Sequence, residues 1–156
     1  MLLTEQTEMI QSVARKIAKE QIAPQAKEVD EKGETPWANL KVLAENGFFG
    51  INVPEEYGGV GSDMVSHVAV VEEIASVCAS TSVSLSTQAL TIAPFLLAGT
   101  EGQKKKYVTP LATGQVLGSF GITEPGAGSD VASIKTSAVR EGDYYRNNGH
   151  KVFNTN

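Results

Sequence analysis

The sequence predicts an α+β protein in which residues 1–113 are all helical and residues 114–156 are β-stranded. Up to residue 113, apolar side chains recur at the spacing of a helix face. Beyond Gly114, alternating runs and turn signals such as Asn148-Gly149 replace that spacing. We expect about three or four strands with open edges in this second part, too few for a closed sheet.

The composition is that of a globular protein. Of 156 residues, 41% are hydrophobic and 20% are charged, which is enough apolar content for a core. The net charge of −5 argues against nucleic acid or an anionic membrane as the main partner. Cys78 is the single cysteine, so an internal disulfide and a cysteine-based metal site are excluded. A reducing compartment follows, which is the cytoplasm in a bacterium or the mitochondrial matrix for a processed eukaryotic form.

No targeting or membrane-spanning segment is predicted. Residues 1–5 are too short and too acidic for a signal or transit peptide. Residues 74–100 carry no charge, but hydroxyl residues and Pro94 interrupt them. A spanning helix needs roughly 20 mostly apolar residues, so we expect buried helices here instead.

Thr4 is predicted to cap the first helix, because Glu5 and Glu8 follow in the first turn, where the helix dipole favours negative charge. Pro24 interrupts this helix, yet apolar residues continue on the same face beyond it. We therefore expect a kinked helix that ends at about Asp30.

The second helix is predicted to have Thr35 as its cap and Pro36 in its first position, and to stop at Gly47. The residues expected to form its inner face are Trp37, Leu40, Leu43 and Ala44. Residues 54–61 are rich in glycine and are expected to form a long ordered loop.

A third helix is predicted from Asp63 to about Ala79 and is expected to be central, because it is apolar almost all round. The fourth helix, from about Thr81 to Ala98, carries an uncharged polar strip at helical spacing, formed by Ser84, Thr87, Gln88 and Thr91. Two interpretations of the strip are open. Its side chains bond their own helix or a partner helix, or they form one wall of a ligand pocket.

Three further expectations concern isolated features of the helical part. Thr100 and Gln103 have the spacing of a capping box and open a fifth helix, whose lysines at 104–106 are expected to face solvent. His67 is expected to be a satisfied core or interface residue, and Cys78 a small core residue.

In the second part, a strand at residues 116–122 is expected to deliver a stiff loop with the sequence GITEPGAGSD at residues 121–130. Residues 134–139 are expected to pair with a return strand that starts at Tyr144, and residues 150–156 to begin another strand.

The loop at 121–130 does not match two nucleotide-binding motifs. The dinucleotide fingerprint requires a third glycine where Val131 stands, and it requires a helix after the glycines. The phosphate-binding loop requires a lysine beside the hydroxyl, but Asp130 follows Ser129. From the residues alone, a well-formed turn in which Asp130 caps its own backbone remains an alternative to a binding role.

The loop does match another signature. It consists of small, aliphatic, hydroxyl and acidic residues at fixed positions: Gly121, Ile122, Thr123, Glu124, Gly128, Ser129, Asp130 and Ser133. On these residues, and on similar stretches at 21–24, 53–59, 103–107 and 149–153, the chain resembles the acyl-CoA dehydrogenase family over nearly its whole length.

The resemblance implies a fold and a chemistry. Members of the family have an N-terminal helical domain, a central β-barrel-like domain and a C-terminal helical bundle, with FAD between the last two. This chain would comprise the helical domain (1–113) and the first strands of the central domain (114–156), without the bundle. The implied reaction is α,β-dehydrogenation of an acyl-CoA thioester by a dimeric or tetrameric enzyme, with an electron-transfer flavoprotein as electron acceptor.

The resemblance also implies which residues form the site. Thr123 would hydrogen-bond the isoalloxazine ring, and Thr155 would lie near the hydride-accepting nitrogen. Phe153 would cover one face of the ring. The full cofactor set is Phe120, Gly121, Ile122, Thr123, Gly128, Ser129, Phe153, Asn154 and Thr155, and the substrate set is Ser129, Ser86 and Leu90. The family usually has an aliphatic residue and often a tryptophan in its second flavin segment, whereas here Asn154 follows Phe153.

The resemblance places the catalytic glutamate beyond Asn156, so we expect the chain to be the first part of a longer enzyme and inactive alone. Glu124 and Asp130 are expected to bond backbone N–H groups instead of acting as a base. Two alternatives stay open: a non-enzymatic, partner-binding helical domain, and a relative of the acyl-CoA oxidase or nitroalkane oxidase type.

Overall fold

The computed structural model describes residues 3–156, which fall into two units. The first unit runs to Gly118 and includes Asn156, and it contains all the α-helices. The second unit is Ser119–Thr155 and contains one β-hairpin. The predicted class, a helical region followed by strands, is confirmed, while the domain boundary at residues 113 and 114 stays a prediction.

The first helical rod has three parts: α1 (Glu5–Ile17), a π-helical turn (Ala18–Ile22) and α2 (Ala23–Lys32). Thr4 caps α1 as predicted, since its hydroxyl accepts a hydrogen bond from the Thr7 N–H at 3.1 Å. Pro24 lies in the first turn of α2, where its missing N–H is tolerated. We expected a kink at Pro24; the structure instead has a π-helical turn at Ala18–Ile22, just before the proline.

Helix α3 (Trp37–Glu45) begins one residue later than predicted. The predicted cap is wrong: Pro36 is the residue before the helix, and no side chain caps it. Leu40 and Leu43 are buried as expected, but Trp37 is 67% exposed, because it stands in the first turn and lines open surface clefts. The stop at Gly47 is confirmed by its left-handed backbone, with φ of 70°.

Helices α4 (Met64–Ala75) and α5 (Ala79–Ala98) follow a loop that contains short 3₁₀ turns. The start of α4 at Asp63 agrees with the prediction, and the structure adds that Asp63 caps the helix, with its carboxylate 2.8 Å from the Ser66 N–H. The predicted end of α4 at Ala79 is wrong, because the chain turns after Ala75 and Ala79 already belongs to α5. The expectation that α4 is central is also wrong in part, since Val68 is 56% exposed.

The fifth predicted helix is present but irregular. Its three parts are α6 (Glu101–Gln103), a π-helical turn (Lys104–Val108) and α7 (Thr109–Ala112). Both hydrogen bonds of the Thr100–Gln103 capping box are present, which confirms that prediction. Lys104 forms an ion pair with Glu101 at 3.0 Å.

Helices α1, α3, α4 and α5 enclose the larger part of the core. The largest fully buried side chains in the described chain include Phe49, Ile22, Leu43, Ile51, Ile74, Leu85 and Ile92. Helix α5 is long and apolar enough, by length and composition alone, to cross a membrane. The core helix of a soluble protein meets the same criteria.

The hairpin consists of β1 (Ser137–Glu141) and β2 (Tyr144–Asn148), paired antiparallel with Ser137 opposite Asn148. Gly142, with φ of 65°, makes the predicted turn between them. Within residues 3–156 the predicted strands at 116–122 and 150–156 do not form, so there are two strands instead of three or four. A strand requires a paired neighbour for its backbone. Among the described residues, the backbone bond that comes nearest to joining these segments runs from Val152 N–H to Thr123 O, one residue beyond 116–122.

Candidate functional site

The loop at residues 121–130 is a tight turn, as its sequence predicts. Glu124 N–H donates to Ala127 O at 2.9 Å, and Ala127 N–H donates back to Glu124 O at 3.0 Å. Glu124 and Ala127 are buried, whereas Pro125 and Gly126 between them are exposed. The turn thus directs the Glu124 side chain inward and presents its tip to solvent.

The Glu124 carboxylate accepts four hydrogen bonds. The donors are the N–H groups of Lys135 (2.8 Å) and Thr136 (2.9 Å), the Thr136 hydroxyl, and Lys151 Nζ (2.9 Å). These donors, led by the Thr136 hydroxyl, the Lys135 N–H and Lys151, lower the pKa of Glu124 to about 2. Two of the four donors are backbone N–H groups, which confirms the expectation for Glu124. Its low pKa makes it an anion at neutral pH and a poor base.

Lys151 joins the loop to the segment that follows the hairpin. Its ammonium group donates to Glu124 Oε1 and also to the Ile122 carbonyl, at 2.9 Å each. Beside it, Val152 N–H donates to Thr123 O at 2.9 Å. Residues 121–124 and 151–154 therefore lie side by side, although the sequence analysis assigned no role to Lys151. Its position two residues before Phe153, where the second predicted flavin segment begins, was the available signal.

Gly121 allows these two segments to approach closely. A Cβ atom at Gly121 would stand 2.9 Å from Asn154 Oδ1, which is closer than such atoms come in real structures. Asn154, the residue that departs from the family pattern, is thus in contact with the first residue of the loop signature. The structure brings the two predicted cofactor segments together at this point.

The predicted cofactor residues present an uncharged surface. Those that are exposed are Gly121, Ile122, Gly128, Ser129, Phe153 and Asn154, and those that are half-buried are Phe120, Thr123 and Thr155. Phe153 is 91% exposed and has φ of 58°, an uncommon backbone conformation for a bulky residue. The surface combines hydroxyl and amide groups with one free aromatic ring. The individual roles of these residues stay predictions.

Asp130 differs from the expectation for it. Its carboxylate accepts from the Ser133 hydroxyl, and the Ser133 N–H donates to the Asp130 carbonyl oxygen at 3.1 Å instead. The carboxylate of Asp130 therefore fixes a neighbouring side chain, while the backbone contact uses its main-chain oxygen.

The polar strip of α5 is divided between two uses. Thr87 and Thr91 donate to carbonyls of their own helix at 2.9 Å, as the first interpretation proposed. Gln88 is fully buried and donates to the carbonyl oxygens of Leu111 in α7 and of Val116 just after it. Of the predicted substrate contacts, Ser86 is half-buried and donates to Ser82 O at 3.0 Å, and Leu90 is 51% exposed.

His67 and Cys78 are both buried in the helical unit. Burial lowers the pKa of His67, and its Nδ1 atom has no hydrogen-bond partner within the described residues. The expectation of a satisfied core histidine is therefore wrong, and the interface alternative stays a prediction. Cys78 is a core residue as predicted, and its Sγ accepts from the Thr81 hydroxyl at 3.1 Å.

Comparison with known proteins agrees with this fold and signature. The sequence model described as "Acyl-CoA dehydrogenase, N-terminal domain" matches residues 4–115. The chain belongs to the acyl-CoA dehydrogenase family.

Three relatives illustrate the range of the family. The chain is 46% identical to a 3-(aryl)acrylate reductase of Clostridium sporogenes and 45% identical to the caffeyl-CoA reductase-Etf complex subunit CarC of Acetobacterium woodii, each over 99% of this chain and 41% of the relative. Among solved structures, butyryl-CoA dehydrogenase from Megasphaera elsdenii matches with a TM-score of 0.90 and 34% identity. That match covers 99% of this chain and 42% of the solved chain. The chain thus spans about 41% of the length of the curated relatives.

Proposed function

We propose that the whole protein is an FAD-dependent enzyme that carries out α,β-dehydrogenation of an acyl-CoA thioester. In this proposal the chain supplies the N-terminal helical domain and one side of the flavin site. Membership of the acyl-CoA dehydrogenase family supports the class of enzyme. The single observation that carries the site is the Lys151–Glu124 contact, because it holds the two predicted flavin segments together.

The exposed groups of the site fit the ring of a flavin. Their donors and acceptors are hydroxyl and amide groups, and neutral donors can fix the plane of the ring without neutralising the charge that it gains. Because Gly121 has no side chain, the Asn154 amide lies directly against the backbone of the loop. The exposed Phe153 ring is free to cover a flat aromatic surface. FAD, when bound, would supply the acceptor for the hydride that leaves the β-carbon.

Each hydroxyl of the site has a distinct role in this proposal. Thr123 binds the isoalloxazine ring, and Thr155 lies near its hydride-accepting nitrogen. Ser129 contacts both the cofactor and the pantetheine arm of CoA. On α5, Ser86 and Leu90 contact the acyl chain. Their partial exposure in the helical unit is compatible with contact to a ligand.

Proton abstraction from the α-carbon requires a base with a pKa near the working pH. Glu124 cannot serve, because its pKa of about 2 and its four donors keep it a passive anion. The proposal therefore assigns the base to another part of the whole protein. The electron acceptor is proposed to be an electron-transfer flavoprotein, in keeping with a 45% identical relative named as part of an Etf complex. A dimer or tetramer is proposed for the whole enzyme.

A second candidate is the reverse reaction, reduction of an α,β-unsaturated acyl thioester. Two relatives, at 46% and 45% identity, are named as reductases of acrylate-type or caffeyl-CoA substrates. The same flavin surface would serve both directions, because each transfers a hydride between the β-carbon and the flavin. The reduction potentials of the substrate and of the electron partner would then decide the direction.

Anaerobic flavin spectroscopy on the whole protein tests both candidates. We expect visible flavin absorption in the purified protein and bleaching when a saturated acyl-CoA is added, whereas the 156-residue chain alone should show no bleaching. Reoxidation of the reduced flavin by an enoyl-CoA, without bleaching by the saturated substrate, would favour the reductase. Hydrogen peroxide formation in air would indicate an oxidase. A folded whole protein that binds no flavin would contradict the proposal.

A further inference from the structure

Gln88 carries the one side-chain amide of α5. Its side chain is fully buried. Its Nε2 group donates to the carbonyl oxygens of Leu111 and Val116, at 2.8 Å each, and its Oε1 atom accepts from the Gly118 N–H at 2.8 Å. One side chain on the helix thus replaces the partners that a strand would give to residues 116–118.

Gly118 can lie close against α5 because it has no side chain. A Cβ atom at Gly118 would stand 2.5 Å from Thr91 Cγ2 and 2.9 Å from Leu111 Cδ2. The backbone therefore lies directly on the helix at this point, and no other residue fits without displacing the segment. The hydrogen bonds of Gln88 and the close packing of Gly118 fix the same short stretch from two directions.

Residues 116–118 lie next in the chain to the residues predicted to bind the flavin. Phe120, the first of the predicted flavin residues, comes two residues after Gly118. Gln88 itself lies between Ser86 and Leu90, the predicted acyl contacts, on the same helix. A shift of residues 116–118 relative to α5 would therefore be passed directly along the backbone to the start of the cofactor loop.

We propose that Gln88 is a positioning residue that holds the entry to the flavin loop, residues 116–118, in fixed register with the helix that carries the acyl contacts. The inference rests on the proposed function, since it gives Gln88 a role in the geometry of that site. Because Gln88 contacts the backbone only through its amide, an apolar side chain of similar size would fill its space without holding the segment.

The test compares Gln88→Leu with the wild type in the whole protein. The substitution removes all three hydrogen bonds of the Gln88 amide. We expect FAD to bind about tenfold more weakly, and the Gly118 amide to exchange faster with solvent. Ser82→Ala is the matched control, because it removes a hydroxyl that donates only to Ala79 O within the same helix. An unchanged FAD affinity in Gln88→Leu, with a lower unfolding temperature alone, would show a purely structural role and overturn the inference.

A double-mutant cycle with Gly118→Ala gives an independent result. The added Cβ would push the same segment away from α5, so the two substitutions should not add: the double variant should bind FAD no more weakly than the more affected single variant. Additive effects would overturn the inference. Should Gln88→Leu fail to fold, Gln88→Glu takes its place, because it keeps the acceptor for Gly118 N–H but sets a carboxylate against two carbonyl oxygens.

These outcomes separate the inference from the proposed function. A wild-type protein that binds no FAD would overturn both. A wild-type protein that binds FAD, with Gln88→Leu and Gln88→Glu binding it equally well, would overturn the inference alone.

Discussion

Lys151 Nζ lies 2.9 Å from Glu124 Oε1, and the two residues are 27 positions apart in the chain. The contact joins the loop signature to the segment that carries Phe153 and Asn154. Because Lys151 also donates to the Ile122 carbonyl, one ammonium group holds both the side chain and the backbone of the loop. The predictions that follow depend on this arrangement.

Lys151→Met should weaken FAD binding to the whole protein while leaving its fold intact. The methionine fills a similar volume but loses both donations, and we expect an effect of about tenfold on the dissociation constant, since hydrogen bonds to charged groups are the stronger ones. Titration of the apoprotein with FAD measures it. The matched control is Lys32→Met, because Lys32 pairs with Glu28 on the exposed surface of α2. Equal affinities in both variants would exclude a role for Lys151 in holding the site.

Acid should destabilise the protein partly through Glu124. Its pKa is lowered from 4.5 to about 2 in the folded state. The stabilisation from this group is therefore fully present above about pH 4.5 and is lost as the pH falls towards 2. Glu124→Gln lacks this contribution, so the stability difference between wild type and variant should be largest above pH 4.5 and shrink in acid. Urea unfolding across this pH range measures it, and a constant difference would contradict the assigned pKa.

Gly149→Ala should disrupt the support of Glu124 without touching Glu124 itself. A Cβ atom at Gly149 would stand 2.0 Å from Thr136 Oγ1, so Thr136 must move and release its hydrogen bonds to the carboxylate. We expect a loss of about 1–3 kcal/mol in unfolding free energy, as for other overpacked sites. Gly126→Ala is the control, because a Cβ there meets nothing within 4 Å. Similar unfolding free energies for the two variants would contradict this packing.

Phe153→Ala should weaken FAD binding with little effect on the free energy of unfolding. The ring is 91% exposed, so its loss should change the unfolding free energy by no more than about 0.5 kcal/mol. If the ring covers a flavin, FAD should bind about threefold to tenfold more weakly, the range expected for one aromatic contact. Thermal unfolding and FAD titration of the same preparation give both values. Loss of stability without loss of affinity would show that the ring packs against protein instead.

Local signals in the sequence were the most reliable. Thr4 and the Thr100–Gln103 pair act within one helical turn, and both caps were predicted and are present. The start of α4 at Asp63 was predicted in the same way. The prediction that Thr35 caps a helix was wrong. Thr35 and Pro36 are residues that favour a helix start, but the helix begins after Pro36. The predictions of strands at 116–122 and 150–156 were wrong for a different reason. They rested on the apolar character of each segment, whereas a strand also requires a neighbouring strand to pair with its backbone.

Some features of the candidate site were also predictable from the sequence, and others were not. The loop at 121–130, the backbone-bonding role of Glu124 and the family resemblance could all be taken from the residue order, because the signature is contiguous. Lys151 could not, since its role arises only when the hairpin brings residues 151–154 back beside residues 121–124. Gln88 was assigned to a polar strip with two possible uses, and its actual partners lie 23 to 30 positions away along the chain.

The sequence by itself determined the order of helices before strands, the caps at Thr4 and Thr100, the signature loop and the family. Only the tertiary structure decided which polar groups are bonded to one another. Glu124 is a fixed anion, and not a base, because its four donors converge from positions 135, 136 and 151. Hydrogen bonding of a buried group depends on distances between residues far apart in the chain, and those distances are set by packing instead of by local sequence.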